Sequence, residues 1–136
     1  MNQPYFAQTF DPLAQAQSLA AAFEKTAAVR DKQGGTAKIE RDLIRASGLL
    51  SLSIPKAYGG QGADWETIFK TIQLIAQVDS SLAHVYGFHH LLIATVQLFA
   101  QPEQYESWFR QTAQQQLFWG NALNPLDRRT QVQQLN

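Results

Sequence analysis

The sequence of 136 residues contains no cysteine, which excludes disulfides, thiolate metal sites, iron–sulfur clusters and cysteine nucleophiles. It also lacks an excess of charge, because eleven basic residues balance eleven acidic ones. This balance gives no indication of binding to nucleic acid or to an anionic membrane surface. The most charged stretch, Glu24–Arg45, mixes both signs, and we interpret it as a solvated helix face and loop.

Features of a secretory signal are missing too, since the N-terminus has no basic segment followed by an apolar run. The expected location is therefore cytoplasmic. The most apolar stretch is Leu82–Ala100, and its polar residues would be costly in hydrocarbon. We predict a buried core helix there and no membrane contact.

Hydrophobic residues make up 45% of the chain, and its length suits one domain with a core. Apolar residues at helical spacing predict an all-α bundle of about five helices. The predicted helices begin at Pro12, Ala37, Trp65, Ser81 and Pro102. Asp11, Asp64 and Asp79 precede three of them as N-caps. The inward-facing residues are predicted to include Ile39, Leu43, Ile44 and Ala46 in the second helix, Trp65, Ile68, Phe69, Ile72, Ile75 and Ala76 in the third, and Tyr105, Trp108, Phe109 and Thr112 in the fifth.

The connections between these helices have their own signals. The first helix is expected to run to about Arg30 and to end in a glycine turn, Asp31–Thr36. Leu49–Pro55 is predicted to be an extended apolar connector. The fourth helix, apolar nearly all round, should occupy the centre of the bundle. Leu117–Leu123 is the first convincing candidate for a β-strand, so we divide the chain into a helical domain, 1–117, and the start of a truncated β domain or a tail, 118–136.

The glycine-rich loop Gly59–Gly62 raises the question of nucleotide binding. It matches neither G-x-G-x-x-G nor the P-loop pattern. A turn that requires positive φ between a connector and a helix explains its glycines better.

Three histidines lie close together, at His84, His89 and His90. Zinc-binding helices place two histidines at i and i+4, a spacing that is absent here, so we predict no metal site. A hydrogen-bonded core histidine is the simplest interpretation of any one of them. His84, however, shares a helix face with Phe88, four residues on, where an imidazole and a flat apolar ring can together line a pocket.

Two asparagines, Asn121 and Asn124, flank Ala122-Leu123 and precede a proline. Local hydrogen bonding in a turn is the simpler explanation, and a pair of amides directed at a ligand is the alternative.

Three segments in this order resemble the N-terminal portion of the acyl-CoA dehydrogenase-like flavoenzymes: GLLSLSIPKAYGGQGADW from Gly48, SSLAHVYGFHH from Ser80 and FWGNALNPLD from Phe118. The resemblance is nearest to the branch of flavin-dependent monooxygenases that includes dibenzothiophene monooxygenase and sulfur-acquisition enzymes. It implies an N-terminal helical domain that packs against a β domain and a C-terminal four-helix domain, with flavin and substrate between them.

By position, the resemblance implies that His84, Phe88 and Asn121 line the flavin and substrate pocket, with His84 and Asn121 as catalytic candidates. Phe88 stands where the dibenzothiophene enzyme has a tyrosine. Asn124 and Asp127 are implied to be structural. The cofactor implied is FMN or FAD, whose C4a-(hydro)peroxide transfers oxygen to a small organosulfur or aromatic substrate.

We expect the 136-residue chain alone to retain flavin poorly and not to be a competent enzyme. The partners implied are a small-molecule substrate, a second copy of the chain in a homo-oligomer and, for a monooxygenase, a flavin reductase. Two alternatives stay open: an acyl-CoA dehydrogenase proper, and a non-catalytic helical module for oligomerisation or binding. An uncovered apolar face on the central helix would favour self-association or a partner chain.

Overall fold

A computed structural model describes residues 10–121. It contains six α-helices and two short 3₁₀ turns, at Leu49–Ser51 and Lys56–Tyr58, and no strand within those residues. The all-α prediction is confirmed, with one helix more than expected. The helices are α1 (Pro12–Glu24), α2 (Ala27–Gln33), α3 (Lys38–Ala46), α4 (Trp65–Ala76), α5 (Ser80–Phe99) and α6 (Pro102–Gln115).

The predicted aspartate caps set the starts of three helices. The carboxylate of Asp11 accepts hydrogen bonds from the amides of Leu13 and Ala14 at the start of α1. Asp64 caps α4 through the amide of Thr67 at 2.8 Å, and Asp79 caps α5. Each bond satisfies an amide that has no partner within its own helix, which fixes where the helix begins.

Two apolar clusters form the core. The larger joins α1, α4 and the first half of α5, and includes Phe23, Ile68, Ile75 and Tyr86. The smaller joins α6 to the second half of α5, through Ile93 and Phe109. The segment between α3 and α4 passes between them, with Leu49, Leu50 and Leu52 in the larger cluster and Ile54 in the smaller. The prediction of an extended connector is therefore wrong for its first half, where the buried 3₁₀ turn Leu49–Ser51 forms.

The glycine loop is structural, as the turn interpretation predicted. Gly59 and Gly62 have φ of 87° and 57°, which favour glycine. The chain then folds back, so that the amides of Gln61, Gly62 and Ala63 donate to carbonyls of the 51–54 segment. A Cβ on Gly60 would overlap the carbonyl oxygen and Cβ of Ile54. The loop thus closes around the buried connector.

Arg30 on α2 joins three elements that are distant in sequence. Its Nη2 donates to Asp79 at 2.6 Å, and its Nε lies 2.9 Å from Glu40 on α3. Both carboxylates are buried, so the interpretation of Glu24–Arg45 as a solvated face is wrong at Arg30 and Glu40.

The predicted first helix breaks in two near Thr26. The Thr26 hydroxyl lies 3.0 Å from Glu40 and also contacts the carbonyl of Phe23. A side chain that binds both the local backbone and a distant helix competes with helix continuation, which is consistent with the break between α1 and α2.

Several residues predicted to face inward are exposed. Ile39 is 73% exposed and Leu43 is 40% exposed, whereas Glu40 and Ile44 are the buried residues of α3. Phe69 is 61% exposed on α4. Trp65, Ala76, Ala46 and Trp108 are exposed as well. Periodicity identified the helices, but the neighbouring elements decide which side is covered.

Helix α5 is buried on one side only, so its predicted place at the centre of the bundle is half right. Leu82, Tyr86, His89 and Ile93 are on the buried side. The other side, which we call the open face of α5, exposes His84, Val85, Phe88, Leu91, Leu98 and Phe99. Among the residues that the structure describes, α5 is also the one helix long and apolar enough to cross a membrane, a weak signal that a core helix gives equally.

Residues 117–121 are not a strand, so that part of the predicted strand is wrong. Ala122 and Leu123 lie outside the described residues, as do Asn124 and Asp127. The division of the chain at residue 117 stays a prediction.

Replacing Gly60 with alanine should lower the free energy of unfolding by about 3 kcal/mol, because the added methyl group overlaps the Ile54 backbone and forces the loop open. Gly120→Ala is the matched control, since nothing lies within 4 Å of the corresponding Cβ. Urea unfolding of both variants checks this. Equal stability of the two variants would contradict the close approach.

Replacing Arg30 with methionine should cost about 3 kcal/mol, because it leaves two buried carboxylates without their cation. Lys70→Met removes a fully exposed pair with Glu66 and should leave the urea midpoint unchanged. If the two variants unfold at the same urea concentration, Arg30 is not the link between α2, α3 and α5.

Candidate functional site

The open face of α5 carries the ring pair that the sequence predicts. The rings of His84 and Phe88 lie 4.5 Å apart, centroid to centroid, with planes tilted by 33°. Both side chains are exposed, and Phe88 presents 38% of its surface. The prediction that they share a face is confirmed, and they form a flat, mostly apolar surface with one polar edge.

The start of α5 determines where this pair lies. Asp79 accepts a hydrogen bond from the amide of Leu82 at 2.9 Å, and its other oxygen binds Arg30. The cap and the ion pair together fix the first turn of the helix, and His84 follows in the second.

Behind the open face, the buried side of α5 carries the other two histidines. His89 binds the carbonyl of Leu50 through Nε2 at 2.7 Å and accepts from the amide of Trp119 through Nδ1 at 3.1 Å. His90 Nδ1 lies 2.7 Å from the Ser53 hydroxyl. Within residues 10–121, His90 Nε2 is buried without a hydrogen-bond partner. Both rings thus attach α5 to the segment that precedes the glycine loop.

The partners of His89 determine its protonation. A carbonyl oxygen only accepts, so Nε2 must carry a proton, and a backbone amide only donates, so Nδ1 must be bare. The ring is therefore the neutral Nε2–H tautomer. Burial lowers the pKa of His89 to about 4, although the bond to Leu50 acts in the opposite direction. Burial, with a smaller contribution from His89, also lowers the pKa of His90.

Asn121, the third predicted site residue, is exposed in the segment that follows α6. Trp119, two residues earlier, is hydrogen-bonded to His89, so the segment passes beside α5. Among the described hydrogen bonds and ring contacts, none joins Asn121 to His84 or Phe88. The structure therefore brings two of the three predicted residues into contact and places the third on an anchored segment.

A groove of about 900 Å³ lies elsewhere, between the α2–α3 region and the start of α5. Val85 contributes to its wall, but His84, Phe88 and Asn121 do not. Its charged lining includes Arg30 and Asp79, which are paired with each other. The predicted site is thus an open face and not this groove. In the described part of the chain, no three histidine or acidic side chains cluster as metal ligands would.

The sequence interpretation gave no specific role to His89 or Trp119. Their signal was nevertheless present, since His89 has the helical spacing of Tyr86 and Ile93 and so belongs to the buried face. What the sequence does not contain is the pairing of His89 with residues 30 and more positions away.

The family model described as the acyl-CoA dehydrogenase N-terminal domain matches residues 13–116, a range that covers α1 to α6. The chain belongs to this family. The predicted family is thereby confirmed, and so is the expected type of fold.

Individual relatives of the chain are monooxygenases. The probable FMNH2-dependent monooxygenase SfnC of Pseudomonas putida is 58% identical over 97% of this chain and 33% of its own. The methanesulfinate monooxygenase MsuC of Pseudomonas fluorescens is 60% identical over 86% of this chain and 30% of its own, with a TM-score of 0.81. The dibenzothiophene monooxygenase TdsC of Paenibacillus sp. A11-2, solved with FMN and indole, is 45% identical over 79% of this chain and 27% of its own, with a TM-score of 0.76. The chain therefore spans about a third of the length of these relatives.

Acid should destabilise the chain between about pH 6.5 and pH 4, because the folded state keeps His89 neutral there while the unfolded state binds a proton. The stability contributed by the neutral His89 is fully present above the unfolded pKa. It is lost as the pH falls, and the loss reaches about 3 kcal/mol near pH 4. Urea unfolding across this window measures it. His84→Gln should keep the pH dependence and His89→Gln should reduce it, and an equal dependence in both would contradict the buried neutral imidazole.

Proposed function

We propose that this chain is the helical N-terminal domain of an FMN-dependent monooxygenase that oxygenates a small organosulfur compound. The observation that carries the proposal is the identity of about 60% with SfnC and MsuC over most of the chain, together with a TM-score of 0.81 to MsuC. In this proposal, the open face of α5 is one wall of the flavin and substrate site.

The shape and chemistry of the open face fit a planar ligand. Phe88 offers a flat ring for contact with the flavin or with the organic part of the substrate. Beside it, His84 has an exposed imidazole that can donate or accept a hydrogen bond. Phe88 has no hydroxyl group, so hydrogen bonding by this ring pair depends on His84.

Reduced FMN supplies the two electrons of the reaction, in which one atom of O₂ enters the substrate and the other leaves as water. The residues of this chain would orient the ligand and shield the reacting atoms from water. An apolar wall keeps water away from the reacting atoms, and an amide at Asn121 can hold a ligand oxygen or a ring nitrogen. His84 is placed to hold or deliver one proton at an imidazole nitrogen.

The partners follow from this chemistry. A separate flavin reductase would supply the reduced FMN, as the FMNH2 dependence in the name of SfnC suggests. The open face exposes several large apolar residues and would be covered by other domains or by further copies in a homo-oligomer. A cytoplasmic location would give access to the reductase.

The two alternatives differ in their support. The relatives named above are monooxygenases, so acyl-CoA dehydrogenation has less support. The exposed apolar side of α5 is the specific observation that favours a binding or oligomerisation module. Such a module would not need the imidazole of His84 at the open face.

A chimera distinguishes these functions. Replacing the matching N-terminal portion of MsuC with this chain should give a protein that consumes methanesulfinate when supplied with FMN, NADH, a flavin reductase and O₂. His84→Ala in the chimera should lower the rate by about 10²-fold, the usual contribution of a positioned proton donor or acceptor.

Gln114→Ala, on the exposed surface of α6, is the control and should leave the rate unchanged. A folded chimera without methanesulfinate oxidation would contradict the proposal. Dye reduction with an acyl-CoA would favour the dehydrogenase instead. A fully active His84→Ala chimera would remove His84 from the site.

A further inference from the structure

Among the described hydrogen bonds, the one that joins a side chain of α5 to the segment carrying Asn121 is made by His89. Its Nδ1 accepts the amide hydrogen of Trp119, and its Nε2 donates to Leu50. His89 is directly next to Phe88 in the sequence and is fully buried. The bond therefore connects the two parts of the proposed site through a rigid helix.

Other contacts of the same segment hold the side chains around this bond. The indole of Trp119 donates to the Thr112 hydroxyl at 2.7 Å and packs in the smaller cluster. The centroid of the Phe118 ring lies 5.9 Å from the centroid of the His89 ring. The Arg45 guanidinium lies 5.2 Å from the same Phe118 centroid. Phe118 and Trp119 thus enter different clusters, and the amide between them faces His89.

The distance along the chain makes this anchor relevant to Asn121. Two residues of extended chain span at most about 7 Å, so Asn121 cannot lie farther than this from the Cα of Trp119. Gly120 stands between them, with open space around it, and imposes no position of its own. Trp119 is therefore the last residue before Asn121 that the described contacts hold, by its amide on His89 and by its indole on Thr112.

We propose that His89 is a positioning residue, which through its neutral Nε2–H tautomer holds the Trp119 amide and so places Asn121 beside the His84–Phe88 pair. The role of Asn121 in this statement rests on the proposed function. The anchoring of the Trp119 amide by His89 is independent of the proposed function.

Two substitutions separate the two hydrogen bonds. In His89→Asn, the amide oxygen can occupy the place of Nδ1 and still accept from Trp119, while the bond to Leu50 is lost. In His89→Gln, the longer amide can reach the place of Nε2 and donate to Leu50, while the acceptor for Trp119 is lost. The pair is matched in chemistry and differs in which bond survives.

Amide hydrogen exchange in the 136-residue chain measures the anchor directly. In His89→Gln, exchange at Trp119 should accelerate at least about tenfold, and the order parameter of the Asn121 amide should fall below about 0.6. His89→Asn should preserve both values. The amide of Leu19 in α1 reports global unfolding and should exchange equally in both variants.

Activity in the MsuC chimera measures the consequence. His89→Gln should lower kcat about tenfold with KM nearly unchanged, and His89→Asn should restore most of it. A protected Trp119 amide in His89→Gln would overturn the anchor. A released amide with unchanged order at Asn121, or with full chimera activity, would overturn the positioning role. An inactive unsubstituted chimera would count against the proposed function, and the exchange and order-parameter results would still decide the positioning.

Discussion

The geometry of the candidate site depends on a buried imidazole with one acceptor and one donor. His89 joins the connector before the glycine loop, the middle of α5 and the chain that leaves α6. A protonated ring would present an N–H to the Trp119 amide, and the two donors would repel. Burial keeps the pKa low and so keeps the tautomer that both partners need. The same burial that forms the core therefore helps to hold the segment that contains Trp119 and Asn121.

The glycine loop and the ion pairs of Arg30 have supporting roles around this histidine. The loop folds over Ile54 and keeps the 49–54 connector buried, which presents the carbonyl of Leu50 to His89. Arg30 binds the aspartate that caps α5. Both features belong to the side of the molecule that holds α5 in place, while the opposite side of the helix is left open. The glycine-loop segment therefore belongs to the support of α5, and the proposed site residues His84 and Phe88 lie on the open face.

Local signals predicted the helices well. Asp11, Asp64 and Asp79 each cap the helix that follows, and the i, i+4 spacing placed His84 against Phe88. These features depend on neighbours within one turn. The errors involve distant partners: Glu40 is buried because Arg30 reaches it, and Ile39 is exposed because no described element covers its side. Periodicity shows which residues share one face of a helix, but it does not show which other element covers that face. Arg30 and Asp79, for example, are 49 residues apart in the sequence and form an ion pair.

Family membership is shown for residues 13–116, whereas the roles of His84, Phe88 and Asn121 are proposals built on geometry and likeness. The proposed placement of Asn121 requires the His89 tautomer that binds the Trp119 amide. A two-dimensional correlation of ring nitrogens with ring protons in the ¹⁵N-labelled chain measures this tautomer most directly. At neutral pH, we predict a protonated Nε2 and a bare Nδ1 at His89. A protonated Nδ1, in either the other tautomer or the imidazolium, would contradict the bond from Trp119 and the positioning derived from it.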